Sequence, residues 1–584
     1  MCGIIGYTGN ENSIPFVLEG IKSLEYRGYD SFGCAFQGKN NNIEIRKDAG
    51  RINKIIDNYS LDKEISNKSI AHTRWATHGG VTKMNSHPML DCSGKIAVVH
   101  NGIIENFKEL KESLPNHLFS SETDTEVLPH LIEEEMANGK NFEEAVIAVS
   151  EKITGFSSFV VMNADSDNII AVKSGSPLVL GVRDKGMFVA SDVPSFLKYT
   201  NKVVYLSDGD VIAINKAGFK ILKSNNPTKH KVREVTFSIA DIDKGKYKHF
   251  MLKEIMEQQS LVSKLVNSDL SYIKNAASLV SLSKRVFLLG SGSSFHIALL
   301  TANLFRDLGK DAIAVQPQDL LNYSKTISKE DVFMIISQSG ETMDVIESLP
   351  IIKDNKKIGI INTEGSTLAN VVDYFINVNA GHEKGVAATK TFTMSAILSC
   401  LIAMFSAGEE REALNDLNLL NINLYNLFVP SVYKTIKDTA LILKKEKDIF
   451  FLGRGNDYIS AMEAALKMKE VTYIHSEAID SATFKHGPLA LISKGTYSVA
   501  LVSDRFKDRE INNLKEIKAR NGKIIGIANE KMDVFDVFIR SQPAGIFSFV
   551  PQVILSQLLS YYISLSKHID PDHPRNLAKA VTTK

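Results

Sequence analysis

One stretch of this chain occurs twice. Phe287-Leu-Leu-Gly-Ser-Gly-Ser-Ser returns as Phe450-Phe-Leu-Gly-Arg-Gly-Asn-Asp, about 165 residues later. Two further hydrophobic runs repeat at a similar offset. Phe333-Met-Ile-Ile-Ser pairs with Ser498-Val-Ala-Leu-Val, and Lys357-Ile-Gly-Ile-Ile-Asn pairs with Ile524-Ile-Gly-Ile-Ala-Asn. Each copy offers about five β-rich runs separated by helical patterns, the signature of a doubly wound parallel sheet. The duplication therefore predicts two α/β domains, at 246–425 and 426–570, followed by a Pro-containing tail at 571–584.

The chain before the repeats reads differently. Residues 2–235 carry short apolar runs with turn residues between them, such as Ile4-Ile5, Lys95 to His100, Phe159 to Asn163, Ile169 to Val172 and Val211 to Ile214. Helical patterns are fewer: Ile14 to Leu24, Thr123 to Met136 and Phe142 to Ile153. Thr123 and Asp124 are suitable caps for the second. This half is expected to be α+β, with two mainly antiparallel sheets and helices outside them. A polar stretch, 236–245, reads as the linker. The length, 584 residues, also demands more than one core.

Charge and cysteine usage narrow the function. Lys+Arg 68 against Asp+Glu 67 leaves no broad basic footprint for nucleic acid. Four cysteines, with no C-x-x-C pair, make no disulfide framework and suit a reducing, cytoplasmic setting. No signal peptide is expected, since the first basic residue is Lys22. The uncharged stretch Ser541 to Ser566 holds prolines, glutamines and serines that lipid would penalise, so a buried helix is expected rather than a membrane span.

Cys2 follows the initiator residue, and its small size favours removal of Met1. The freed α-amine, with an ordinary pKa of about 8, then serves as a base beside its own thiol. Cys34, Cys92 and Cys400 read as small structural residues. Asn101 and the backbone of Gly102 suit an oxyanion hole. Arg74 suits a carboxylate through its bidentate fork, and Asp124 suits an ammonium. Taken singly, Arg74 and Asp124 read equally as a strand end and a helix cap.

In the first repeat, Ser337, Gln338, Ser339 and Thr342 follow the hydrophobic strand Val332 to Ile336 and open a helix at Met343 to Ser348. Ser293 and Ser294 stand at the equivalent strand end. Hydroxyls and N–H groups at two helix starts of one sheet suit a phosphate. No G-x-x-x-x-G-K-[ST] motif is present, and Gly290-Ser-Gly292 lacks the last glycine of a dinucleotide fingerprint, so nucleotides are disfavoured. The second repeat lacks the Ser-Gln-Ser-Gly loop. It carries Glu463, Lys467 and Glu470 at helical spacing, which also fits a solvated charged face, and His486 in a later loop.

The N-terminal residues Cys2-Gly-Ile-Ile-Gly, Leu24-Glu-Tyr-Arg-Gly-Tyr-Asp-Ser, Arg74-Trp-Ala-Thr-His-Gly and His100-Asn-Gly resemble the class II glutamine amidotransferases, the N-terminal-nucleophile glutaminases. Gly385-Val-Ala-Ala-Thr-Lys, the helix around Glu470, Lys485-His-Gly-Pro and Pro574-Arg-Asn-Leu-Ala-Lys resemble tandem sugar isomerase domains. The whole chain is similar, in this order, to the glucosamine-6-phosphate synthase family.

That resemblance implies an αββα sandwich for the first half. It implies Cys2 as the nucleophile on glutamine, Asn101 and Gly102 as oxyanion donors, and Arg74, Thr77, His78 and Asp124 as the amino-acid anchors. Trp75 gates an ammonia passage. Ser294, Ser337, Gln338, Ser339 and Thr342 bind the phosphate of fructose 6-phosphate. His486, supplied by a neighbouring subunit, assists ring opening, Lys579 forms a Schiff base, and Glu470 moves the proton from C1 to C2. A homodimer without metal or organic cofactor is implied, with no nucleic-acid or membrane partner. Three departures stand out: Ala388 where the family has Ser, Ala482-Thr483 where it has Gly-Glu, and the terminal Lys584. Ala388 and Ala482-Thr483 leave open another ketose phosphate as acceptor. A sugar-phosphate sensor and a deglycase are the alternatives from other classes.

Overall fold

The computed structural model describes residues 2–38, 40, 42–76, 78–225, 230–235 and 243–579. Most of the expected linker therefore lies outside the described residues.

In the first half, strand Gly3–Gly9 lies inside an eight-stranded antiparallel sheet, between Lys68–Arg74 and Gly186–Ala190. A six-stranded antiparallel sheet contains Ile96–Gly102 next to Ser157–Asn163. Alternation along the strands decides what each face meets. Ile4 points into the layer between the sheets, with Ile70, Val99, Val160 and Ile212. Ile5 and Tyr7 point the other way, against helix Ser13–Ser23. Val98, Phe159 and Val161 pack outward under helices Val127–Ala137 and Phe142–Lys152. The result is an αββα sandwich.

Two five-stranded parallel sheets follow, and their topologies are identical. The first runs Ala312–Val315, Val286–Leu289, Val332–Ser337, Lys356–Ile361, Tyr374–Asn377. The second runs His475–Asp480, Asp448–Gly453, Tyr497–Val502, Lys523–Ala528, Val537–Arg540. Both have the 2-1-3-4-5 order, whose switch point lies beyond the carboxyl ends of the first and third strands. The duplicated glycine loops share one backbone: Gly292 has φ 57° and ψ −126°, and Gly455 has φ 59° and ψ −122°. Only glycine takes this conformation without strain.

The two repeats are joined by one continuous core that includes Ile255, Leu288, Ile402, Phe451 and Leu555. Two helices run through it. Lys390–Ser406 is buried on nearly every side, as its all-round apolarity requires. Phe549–Ser566 arises from the uncharged stretch; it is long and apolar enough to cross a bilayer, and it is 83% buried inside the protein. Its glutamines find partners there: Gln258 Nε2 donates to Gln557 Oε1 at 2.8 Å, and Gln552 Nε2 donates to Asp457 at 2.9 Å.

The tail docks rather than trails. Asp572 accepts the Phe250 and Met251 N–H groups at 2.8 and 2.9 Å, capping helix Phe250–Val266. The Arg575 N–H donates to the Tyr473 hydroxyl at 2.7 Å, and its guanidinium stacks on that ring.

One local expectation fails. Thr123 and Asp124 do not cap an α-helix with their side chains; a 3-10 turn, Asp124–Glu126, intervenes before Val127. The Asp124 carboxylate accepts the Ile104 N–H instead, at 2.8 Å. Glu126 satisfies the Ser120 and Ser121 N–H groups at 2.8 and 2.6 Å.

Candidate active sites

Antiparallel pairing brings the N-terminal motifs together. Strand Gly3–Gly9 pairs with Lys68–Arg74, setting Gly3 opposite Thr73, so Cys2 and Arg74 emerge at one sheet end. The Cys2 thiol sits at Trp75, whose N–H donates to Sγ at 3.2 Å. Asn101 and Gly102 end the facing sheet's strand. Asn101 Nδ2 donates to the Cys2 carbonyl and to Ser191 Oγ, each at 3.0 Å. Its Oδ1 lies 3.1 Å from His72 Nε2. Burial drives His72 down to about 3, so it stays neutral and fixes the amide's orientation. Gly102 has φ 131°, and a Cβ there would lie 2.0 Å from the Phe156 carbonyl. No other residue type fits that place.

Arg74 is buried, with its guanidinium held by the carbonyls of Gly80 (3.2 Å) and His78. Asp124 is buried beside Ile104. His78 stands edge-on to Phe107, 6.0 Å between rings. Thr77 lies outside the described residues. The Trp75 indole packs edge-on against Tyr29 at 5.6 Å, and the Tyr29 hydroxyl donates to the Pro574 carbonyl at 3.0 Å. Trp75, whose backbone holds the Cys2 thiol, is thus linked through Tyr29 to the C-terminal tail.

At the switch point of the first repeat, Ser294 lies in the first turn of helix Ser293–Asp307. Ser337 ends its strand, and its Oγ accepts the Gly340 N–H at 3.0 Å and lies 3.1 Å from Thr342 Oγ1. Ser339 Oγ accepts the Glu341 N–H at 3.1 Å. Gln338 and Thr342 are half-buried on the same loop. The second repeat has a different occupant. Asp457, the counterpart of Ser294, accepts from Ser503 N and Oγ, both at 2.8 Å. A buried side-chain carboxyl thus stands at the start of the second repeat's helix, where the first repeat has a hydroxyl.

Helix Asn456–Thr472 decides the charged-face question. Glu463 and Lys467 are almost wholly buried, so the face is internal. Glu463 accepts from Ser293 Oγ at 2.9 Å and lies 2.7 Å from His296 Nδ1, bridging the two repeats. Lys467 sits 3.3 Å from Glu463 and 2.7 Å from Glu470. Burial raises the Glu470 carboxyl above the usual carboxylate range, against the opposing pull of Lys467. A carboxyl with its proton affinity raised in this way is a candidate proton carrier. Lys579 Nζ binds the Glu383 carboxylate and donates to the Gly385 carbonyl at 2.7 Å. The expectation from the sequence is an amine free for Schiff-base chemistry, whereas the structure shows Lys579 in an ion pair with Glu383. His486 is exposed on the loop after helix Ser481–Phe484.

Comparison with known proteins accounts for both halves. A glutamine amidotransferase domain matches residues 72–198, and a SIS domain matches 279–405 and 442–536. The glutamine–fructose-6-phosphate aminotransferase (isomerizing) of Thermococcus kodakarensis is 38% identical over the full length of both chains. This chain belongs to that family. The Clostridium tetani aminotransferase is 36% identical, also over both full lengths. The C-terminal domain of the Francisella tularensis aminotransferase superposes with a TM-score of 0.53 at 29% identity, covering 57% of this chain and all of that one.

Several residues of this aminotransferase chain escape a reading of its sequence. His72, Ser191, His296 and Glu383 each hold a site residue across 29 to 196 positions, with no local pattern to announce them. His72 does sit two residues before Arg74, on the face alternation assigns to the interior.

Proposed function

We propose that this chain splits glutamine and delivers the ammonia to fructose 6-phosphate, giving glutamate and glucosamine 6-phosphate. The Cys2 thiol passes its proton to the α-amine and attacks the amide carbon, while Asn101 and Gly102 receive the oxyanion. The C–N bond breaks as that proton returns to the departing nitrogen, and water then cleaves the thioester. Arg74, Thr77, His78 and Asp124 hold the charged end of glutamine. Ser294, Ser337, Gln338, Ser339 and Thr342 hold the sugar phosphate. Lys579 condenses with the C2 carbonyl, losing water, and ammonia displaces it. Glu470 takes a proton from C1 and returns one to C2, so a ketose imine becomes an aldose amine.

Trp75 gates the passage between the sites, where a dry route keeps ammonia unprotonated and nucleophilic. His486 opens the sugar ring from a neighbouring subunit, which makes the working unit a homodimer. The family's reaction needs no metal or organic cofactor at either site. Four free cysteines support a reducing, cytoplasmic setting.

The observation that carries this reading is the tail's position. Residues 572–579 touch Tyr29 of the glutaminase half, Tyr473 of the second repeat and Glu383 of the first. The test is incubation with glutamine and a panel of ketose phosphates, with identification of the amino sugar. Glucosamine 6-phosphate and glutamate in equal amounts are expected. Cys2→Ala should lose glutamine-dependent synthesis and still bind the sugar phosphate. Formation of no amino sugar from any ketose phosphate would favour the sensor.

A further inference from the structure

Away from both active sites, four metal-ligating side chains converge: Cys92, His117, His130 and Glu133, whose ligand atoms all lie within 4.8 Å of one another. They come from three elements. Cys92 is on the turn before strand Ile96–Gly102, His117 is on the loop after helix Phe107–Glu112, and His130 and Glu133 lie one turn apart on helix Val127–Ala137. We propose that this cluster is a structural site for a thiophilic divalent cation of the Zn2+ class.

The spacing carries the proposal. A tetrahedral Zn2+ with Zn–N of about 2.0–2.1 Å and Zn–S of about 2.3 Å sets N···N edges of about 3.3 Å and S···N edges of about 3.5–3.6 Å. The two Nδ1 atoms are 3.3 Å apart. Cys92 Sγ lies 3.6 Å from His117 Nδ1 and 3.5 Å from His130 Nδ1. Glu133 Oε2 lies 3.2 Å from the first nitrogen and 3.7 Å from the second. Five edges thus outline a tetrahedron of the right size.

Hydrogen bonding alone does not explain the arrangement. A neutral imidazole nitrogen is either one donor or one acceptor. Here a single atom, His117 Nδ1, faces a sulfur, a nitrogen and an oxygen together. A cation accepts all four lone pairs. Thiolate, carboxylate and two neutral imidazoles carry net charge −2, which a divalent ion cancels. Thiolate and imidazole ligands select the zinc class over Mg2+ or Ca2+.

The surroundings support the ligands. His117 Nε2 lies 3.2 Å from Glu134 Oε2, the carboxylate behind an imidazole that fixes ring orientation at metal sites. The Leu118 N–H donates to Cys92 Sγ at 3.5 Å, and the Cys92 N–H donates to Glu133 Oε2 at 3.0 Å. Four protein ligands close the coordination sphere, so the role is structural. The ion would fasten the loop carrying His117 to the helix behind it; that loop runs on through Ser120 and Ser121, bonded to Glu126, to Asp124 of the glutamine site. The sequence hides this site, because its ligand spacing matches no short motif and Cys92 reads as incidental.

The experiment is Co2+ titration of the chelator-treated full-length protein, followed by absorption spectroscopy. Cobalt should bind at one equivalent, with intense tetrahedral d–d bands and a thiolate-to-metal charge-transfer band. Cys92→Ser should abolish that band. His117→Ala should weaken binding by more than the roughly 10–100-fold that loss of an outer-shell partner costs. Cys2→Ala should bind as wild type does. Both Cys92 and His117 are at least partly accessible, and circular dichroism of each variant verifies folding, so one remains informative if the other misfolds. No stoichiometric binding by wild type, or binding undiminished in the folded variants, would overturn the proposal.

Discussion

At the scale of single residues, the two sites make opposite demands. The glutaminase pocket depends on shape. Gly102→Ala puts a methyl group 2.0 Å from a backbone carbonyl at a positive φ. The strand end must move, and left-handed backbone alone costs about 1–2 kcal/mol. Glutamine hydrolysis should fall by at least 100-fold, roughly the loss of one oxyanion donor, while sugar binding is unchanged; hydrolysis within tenfold of wild type would remove Gly102 from the oxyanion hole. For the sugar site the proposal rests on the proton affinity of Glu470. Glu470→Gln keeps volume and burial but removes the carboxyl whose affinity for a proton burial has raised. Loss of a positioned acid–base group costs about 10²–10⁴-fold in rate. Exchange of the sugar C1 proton with deuterated solvent measures it, and equal exchange in mutant and wild type would place the proton carrier elsewhere.

At the scale of elements, the strands Lys68–Arg74 and Ile96–Gly102, with the loop at His87, bring together three buried histidines. The His72 and His87 rings are 4.3 Å apart. Burial lowers His72 to about 3 and depresses His87 and His100 as well. The unfolded chain takes up these protons near pH 6.5 and the folded chain does not. Stability is therefore intact above pH 6.5 and lost as pH falls toward 3, at up to about 1.4 kcal/mol per pH unit for each histidine. Urea unfolding followed between pH 7.5 and 5.5 should show this decline, and His87→Asn should flatten it; an identical slope in the variant would contradict the assignment. The repeats offer a second check. If the hydroxyl loop of the first repeat is the phosphate site, the buried Asp457 at the matching place in the second leaves no counterpart, so calorimetry should find one sugar phosphate per chain, and two sites of similar affinity would contradict that. Element type and order were legible in the sequence because both signals are local: short apolar runs such as Ile4-Ile5 set between turn residues, and the duplicated strand–glycine–helix units. The side chains that tie elements together were not. Glu463 reads as a charged face until Ser293 and His296, in the other repeat, are brought against it. The segment that makes the charges internal is invisible to helical spacing.

At the scale of the whole molecule, the two halves meet at several polar joints. Lys173 Nζ donates to Thr367 Oγ1 at 3.0 Å, and Asp192 bridges Arg27 at 3.1 Å and His382 at 3.4 Å. Tyr26 and Arg27 of the Leu24-to-Ser31 motif thus serve the joint with the first repeat, while Tyr29 carries the contact from Trp75 to the tail. Tyr29→Phe removes the hydroxyl that reaches Pro574. Glutamine hydrolysis should continue while less of its nitrogen reaches sugar, seen as glutamate exceeding amino sugar; matched yields would show that this hydrogen bond does not couple the sites. The central claim is that nitrogen passes from Cys2 to Lys579 inside one protein. The most direct measurement supplies amide-15N glutamine and fructose 6-phosphate in the presence of excess unlabelled ammonium. An internal route gives glucosamine 6-phosphate carrying nearly the full 15N enrichment of the glutamine. Enrichment diluted to the ratio of the bulk ammonia pool would contradict it.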